Sequence, residues 1–274
     1  MSINPAPESQ SPQAPAASPG SVRVAETPLV RFALGRADDA LILGHRLSEW
    51  CGHAPMLEED MALANMALDL IGQARVLYSY VAELEGAGRG EDDYAYLRDV
   101  RCYRNLLLHE QPNGDFAQTM VRQFLYAAFV DPYWRALVGS SDATLSALAA
   151  KAEKESAYHL RHASEWMVRF GQGTDESRER AQAALDYLWR FTGEMFAVDA
   201  GERPLIDAGV TVDPETVRQT WNDTVAQVLA RAGLTRPAQE WMQSGGRDGH
   251  HSEHLGHLLS DLQYMQRAFP GATW

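Results

Sequence analysis

A bridged pair of metal ions inside a helical bundle is held by carboxylates together with Glu-x-x-His steps. Residues at i and i+3 share one helix face and can aim at a single cluster. The chain has nine histidines, and the residues three places before them are Ile42, Trp50, Leu106, Ser156, His159, Arg247, Asp248, His251 and His254. None is glutamate. The nearest approach, Asp248 with His251, stands in a glycine-rich turn rather than in a helix. A polar set nevertheless recurs at helical spacing. Asn65, Asp69 and Gln73 fall on one stripe of a segment that is otherwise apolar nearly all round, and Glu155 stacks on His159 at i, i+4 with Tyr158 and His162 nearby. An all-round apolar helix is a buried one, so the stripe is expected to face inward. Such a set could be a metal site of unusual spacing or a hydrogen-bonded polar layer. The layer is favoured, because the second carboxylate and imidazole pairs are missing and buried polar groups must be paired. If Asp69 and Glu155 occupy the carboxylate positions, Gly72 and Tyr158 occupy the imidazole positions. Glycine has no ligand atom, and neutral tyrosine is a poor ligand. No catalytic, cofactor-binding or metal-binding residue is therefore expected.

Two further clusters carry weaker chemistry. His250, His251, His254 and His257 form a dense run, but Glu253 is misplaced for the H-E-x-x-H arrangement of zinc proteases, and helix-capping roles are the plainer expectation. Gly245-Gly246-Arg247-Asp248-Gly249 could cradle a phosphate, yet it follows no strand and lacks the P-loop lysine, which leaves a turn. There is no G-x-S-x-G nucleophile elbow.

The elements that must position these residues are helices. Asp38 and Asp39 precede an apolar run to Cys51, and after the break at residues 52–55, Glu58, Glu59 and Asp60 put negative charge where a helix dipole favours it. That second helix reaches about Glu85, which is bundle length. A third is expected over about Asp92 to Glu110. Asp115 with Gln118 makes a capping box for a fourth through about Val138, and Asp142 caps a long fifth that stops at residues 171–173. Thr174 opens a sixth, residues 199–212 form the longest loop, and Asp213 with Pro214 opens a seventh closed by Gly233. The last covers about Ser252 to Ala268. No run shows the period-two alternation of strands. The expected class is all-α, a ferritin-like four-helix bundle core with additional helices.

Six of the 13 prolines fall before residue 29, in a stretch of Ala, Ser, Gln and Glu that buries too little apolar surface to offset ordering entropy. Residues 1–33 are expected to be a disordered tail and residues 34–274 a single helical domain. A formal charge of −13 disfavours nucleic acid and anionic membranes as partners. Cys51 and Cys102 have no C-x-x-C spacing and suit a reducing compartment. No apolar run is of spanning length and the N-terminus lacks the basic-then-apolar signature of a secretory signal, so a cytoplasmic location is expected.

Several blocks carry a resemblance: residues 59–75 (EDMALANMALDLIGQAR), 110–117 (EQPNGDFA), 158–166 (YHLRHASEW), Gly245-Gly246-Arg247, 253–259 (EHLGHLL) and the ending 270–274 (PGATW). Together they resemble the C-subunit family of the bacterial phenylacetyl-CoA 1,2-epoxidases, from about Leu34 to the C-terminus. The resemblance implies a ferritin-like subunit without a complete di-iron site, which pairs with the di-iron catalytic A subunit and maintains its integrity. It also implies further epoxidase subunits and a flavin and iron-sulfur reductase as partners, and no cofactor of this chain's own. An oxygenase with atypical ligands and a bundle that binds a small ligand without chemistry remain the alternatives.

Overall fold

The computed structural model describes residues 21–238 and 241–272. The first helix, α1 (Pro28–Ser48), is capped by Thr27, whose hydroxyl accepts the Val30 N–H at 3.3 Å, with Pro28 in the first turn where its missing N–H costs nothing. Helix α1 thus starts ten residues before Asp38, and the expected domain boundary at residue 34 falls inside it. Val30 and Ala33 already belong to the core. Most of the expected tail, residues 1–20, lies outside the described residues.

Helix α2 (Leu57–Glu85) ends at Gly86, where φ of 65° takes the left-handed cap. The expected third helix is instead three short pieces: α3 (Glu91–Tyr96), a 3-10 turn (Val100–Cys102) and α4 (Leu107–Glu110). The reason is where its backbone groups go. The buried Arg98 guanidinium takes the carbonyls of Tyr94 and Cys102, while the N–H groups of Arg104, Leu106 and Leu107 donate to Asp38, Asp39 and Glu194 rather than to a helical ladder.

Helix α5 (Phe116–Leu137) is capped by Asp115, but the Gln118 side chain bonds the Pro112 carbonyl and not the cap, so only half of the expected capping box forms. Helix α6 (Ala143–Gln172) and α7 (Asp175–Leu188) follow their expected caps Asp142 and Thr174. The long loop contains a short α8 (Arg203–Asp207). A 3-10 turn at Pro214–Val217 then leads into α9 (Arg218–Ala232), and α10 (Glu253–Ala268) closes the chain. Among the described residues there is no strand, so the class is all-α.

Four long helices make the bundle. Helix α1 packs along α2, α5 packs along α6, and α2 meets α6 to join the two pairs. Helices α7 and α9 cover α5 and α6, and α9 comes so close to α6 that a Cβ at Gly171 would stand 1.8 Å from the Ala232 carbonyl oxygen. The helix enclosed nearly all round is α5, not α2. Met66, Leu70 and Leu77 of α2 are core residues, whereas Leu57, Met61, Leu68 and Val76 lie exposed along its other side.

Candidate functional site

Where α2 meets α6, the helices run antiparallel and their polar residues pair across the seam. Gln73 Nε2 donates to Glu155 Oε2 at 2.8 Å, and His159 Nε2 lies 3.1 Å from Asp69 Oδ2. Further along, His162 Nε2 lies 2.8 Å from Glu59 Oε2. Gln73 and His159 are buried, and Asp69 keeps about a third of its side chain in solvent. Four of the five residues expected to form the inward stripe are therefore brought together, as two pairs. Asn65 is not: it is exposed. Each step of four residues overshoots a full turn by about 40°, so a stripe of three drifts round the helix and its first member leaves the seam.

These residues do not fit a bridged di-iron centre. The three possible ligands Asp69, Glu155 and His159 are already matched to one another or to Gln73. At the position that would carry an imidazole, a Cβ built on Gly72 would stand 4.0 Å from the Lys151 ammonium, which itself lies 3.4 Å from Glu155. A cation there competes with any metal for the same carboxylate. Tyr158 is exposed, with its ring edge-on to that of His159 and tilted against that of His162. Among the described residues no three or more His, Cys, Asp and Glu side chains come together in a metal-ligating group.

The more deeply buried polar cluster lies elsewhere, between α1, α4 and the segment before α10. Asp38 accepts from the Tyr78 hydroxyl at 2.5 Å, from the Arg104 N–H at 2.7 Å and from the guanidinium of Arg98, with both acid and guanidinium fully buried. Asp39 accepts from Arg247 Nη2 at 2.6 Å and the Leu106 N–H at 2.8 Å, and stands 3.3 Å from His109 Nδ1 and 3.6 Å from Arg36. Burial alone would raise the Asp39 carboxyl, but Arg247, His109 and Arg36 outweigh it and hold it well below the usual carboxylate range. The His109 imidazole is also held below its ordinary value, here because burial disfavours its charged form more than Asp39 favours it. Glu110 takes His251 Nδ1 and the Ser252 N–H, at 2.8 and 2.6 Å.

The glycine-rich turn has an occupant of its own. Glu194 Oε1 accepts the N–H groups of Gly245 and Gly246 at 3.0 and 2.7 Å, and its Oε2 accepts Leu107 N–H at 2.8 Å. The backbone cradle that could have suited a phosphate is filled by a carboxylate of the same chain. The histidine run does not converge either, since His250 and His257 are exposed while His251 serves Glu110. Sequence patterns missed this cluster because Asp38 and Asp39 look like helix-starting acids. The usable signal was the apolar periodicity of Leu29, Phe32 and Ala33, which continues the helix back past them.

Fold and seam together define an all-α, ferritin-like helical bundle whose facing polar positions on α2 and α6 pair with each other. Residues 16–274 match the family described as phenylacetic acid catabolic protein, and the chain belongs to that family. It is 47% identical to the C subunit of the 1,2-phenylacetyl-CoA epoxidase of Escherichia coli (strain K12), over 246 residues that cover 90% of this chain and 99% of that protein.

Proposed function

We propose that this chain is the non-catalytic, structural subunit of a multicomponent phenylacetyl-CoA epoxidase, paired in the cytoplasm with a homologous, ligand-complete catalytic subunit. The observation that carries this is the seam. A family relative is a subunit of such an epoxidase, and if Asp69 and Glu155 take the carboxylate positions, Gly72 and Tyr158 fall where imidazoles would be needed, with the Lys151 ammonium beside Gly72. Catalysis of ring epoxidation then belongs to the partner, and this chain contributes a rigid surface. The exposed apolar residues Leu57, Met61, Leu68 and Val76 of α2 are spaced by four, seven and eight residues along one face, and they supply the kind of surface that an obligate interface covers. A partner bundle docked there would have its own ligand-bearing helices held from outside. The two free thiols, Cys51 and Cys102, are consistent with a reducing compartment, and no helix among the described residues is long and apolar enough to cross a membrane.

The test is elemental analysis of the chain expressed alone with ample iron, combined with turnover of phenylacetyl-CoA in the presence of reductase, with and without the catalytic subunit. The expected result is no stoichiometric iron and product only when the partner is present. About two irons per chain, or product from this chain and reductase alone, would replace the scaffold with an oxygenase of atypical ligands.

A further inference from the structure

On the opposite side of α1 from α2, a cavity of about 290 Å³ opens between α1, the segment around Ala197–Glu202 and the turn at 244–248. Its size is near the lower end of small-molecule sites. Most of the charge in its walls is already matched. Arg31 binds Asp199, Asp248 and Glu26, Arg104 binds Glu26, Arg247 binds Asp39, and Glu194 is held by backbone N–H groups. Two groups are not. Arg36 is only 6% exposed, yet its Nη1 has no hydrogen-bond partner, and its guanidinium lies over the rings of Phe32 and Tyr133 at 5.6 and 4.9 Å, with Asp39 no nearer than 3.6 Å. Glu202 lines the same cavity with a buried Oε1 that also lacks a partner. Beside them the wall is apolar, formed by Pro28, Phe32, Ala197 and Val198.

Buried polar groups left unpaired are costly, and here a donor and an acceptor stand unpaired in one cavity. A ligand that satisfies both must offer an acceptor to Arg36 and an N–H donor to Glu202. An amide does this with no net charge to bury, whereas a carboxylate would satisfy Arg36 but face Glu202 unpaired, at a larger desolvation cost. We propose that this cavity is a binding site for a small amide-bearing molecule, its carbonyl on Arg36, its N–H on Glu202 and its apolar body against Phe32 and Val198. The site belongs to this chain alone and is independent of the epoxidase assignment.

The experiment is calorimetric titration of the full chain with phenylacetamide, and separately with phenylacetate, which has the same ring and an anionic head. Two variants accompany it. Arg36→Met removes the donor, and Ala197→Trp fills the cavity from an exposed rim position, so it tests occupancy even where Arg36→Met fails to fold. Expected are saturable one-to-one binding of phenylacetamide, phenylacetate weaker by about tenfold or more, and loss of binding in the variants by at least that factor. No saturable binding of phenylacetamide would leave the cavity to water and overturn the proposal. So would phenylacetate binding as tightly as the amide, or Ala197→Trp binding like the wild type.

Discussion

Two adjacent aspartates in the middle of α1 serve different parts of the molecule, because neighbouring helical residues point about 100° apart. Asp38 faces Arg98 and Tyr78, and Asp39 faces Arg247 and His109. Removing one partner of a fully buried pair leaves an uncompensated charge, so Asp38→Ala is expected to destabilise the chain by about 3–5 kcal/mol in urea unfolding. Replacing Asp69, which is a third exposed, should cost far less. The pH dependence has two components with the same sign. His109 and His45 are both pushed below their ordinary value of 6.5 by burial, so they contribute stability above that pH. This is lost as the unfolded imidazoles take up protons that the folded ones refuse. Asp39, held below its ordinary value, contributes above about pH 4, and that contribution disappears as pH falls towards its depressed folded value. The urea midpoint is therefore expected to fall between about pH 7 and pH 5. A double variant, His45→Gln with His109→Gln, should flatten that slope while leaving the later loss below about pH 4 in place.

At the scale of elements, α2 has a seam side that meets α6 and an outer side that is exposed. On the seam side, Glu155→Ala takes away the acceptor of the buried Gln73 amide, at about 1–2 kcal/mol, whereas Asp69→Ala is expected to cost under about 1 kcal/mol. Equal urea midpoints for the two variants would mean that the seam carries no such difference. On the outer side, Leu68→Asp is expected to leave unfolding of the isolated chain within about 0.5 kcal/mol of wild type and to abolish co-purification with the catalytic subunit. The ends of α2, α5 and α6 and the start of α7 were legible in the sequence, because Glu58, Glu59, Asp60, Asp115, Asp142 and Thr174 act locally and do the same work in any context. The pairing of Asp69 with His159 and Gln73 with Glu155 was half legible, since spacing gives the face and not the neighbour. What could not be read was set by distant contacts. The break after α3 depends on buried carboxylates of α1 and on Glu194 drawing N–H groups out of a helix. Asp38 and Asp39 resemble caps until Arg98 and Arg247, far away in sequence, are placed beside them.

For the whole molecule, the N-terminal boundary is set by Thr27 and Glu26 rather than by the start of apolar periodicity. Glu26 pairs with both Arg31 and Arg104, and the Val22 N–H reaches the Leu97 carbonyl. Deleting residues 1–20 is expected to leave the melting temperature unchanged, and deleting residues 1–27 to lower stability by about 1–3 kcal/mol through the lost cap and ion pairs, as read by thermal unfolding of the two truncated chains. The pairing of Asp39 with Arg247 has a further consequence for how the protein is made. The two residues are separated by 208 positions, and Arg46 likewise waits for the carbonyl of His254. At about 5–20 residues per second, the ribosome delivers Arg247 on the order of 10 to 40 s after Asp39. Through that interval the nascent α1–α2 hairpin carries Asp39 in its future interior with only the more distant Arg36 beside it, and without the Arg247 guanidinium that donates to it directly. The hairpin is synthesised first and locked last, so a message truncated before codon 247 should yield a chain that is degraded rather than stored.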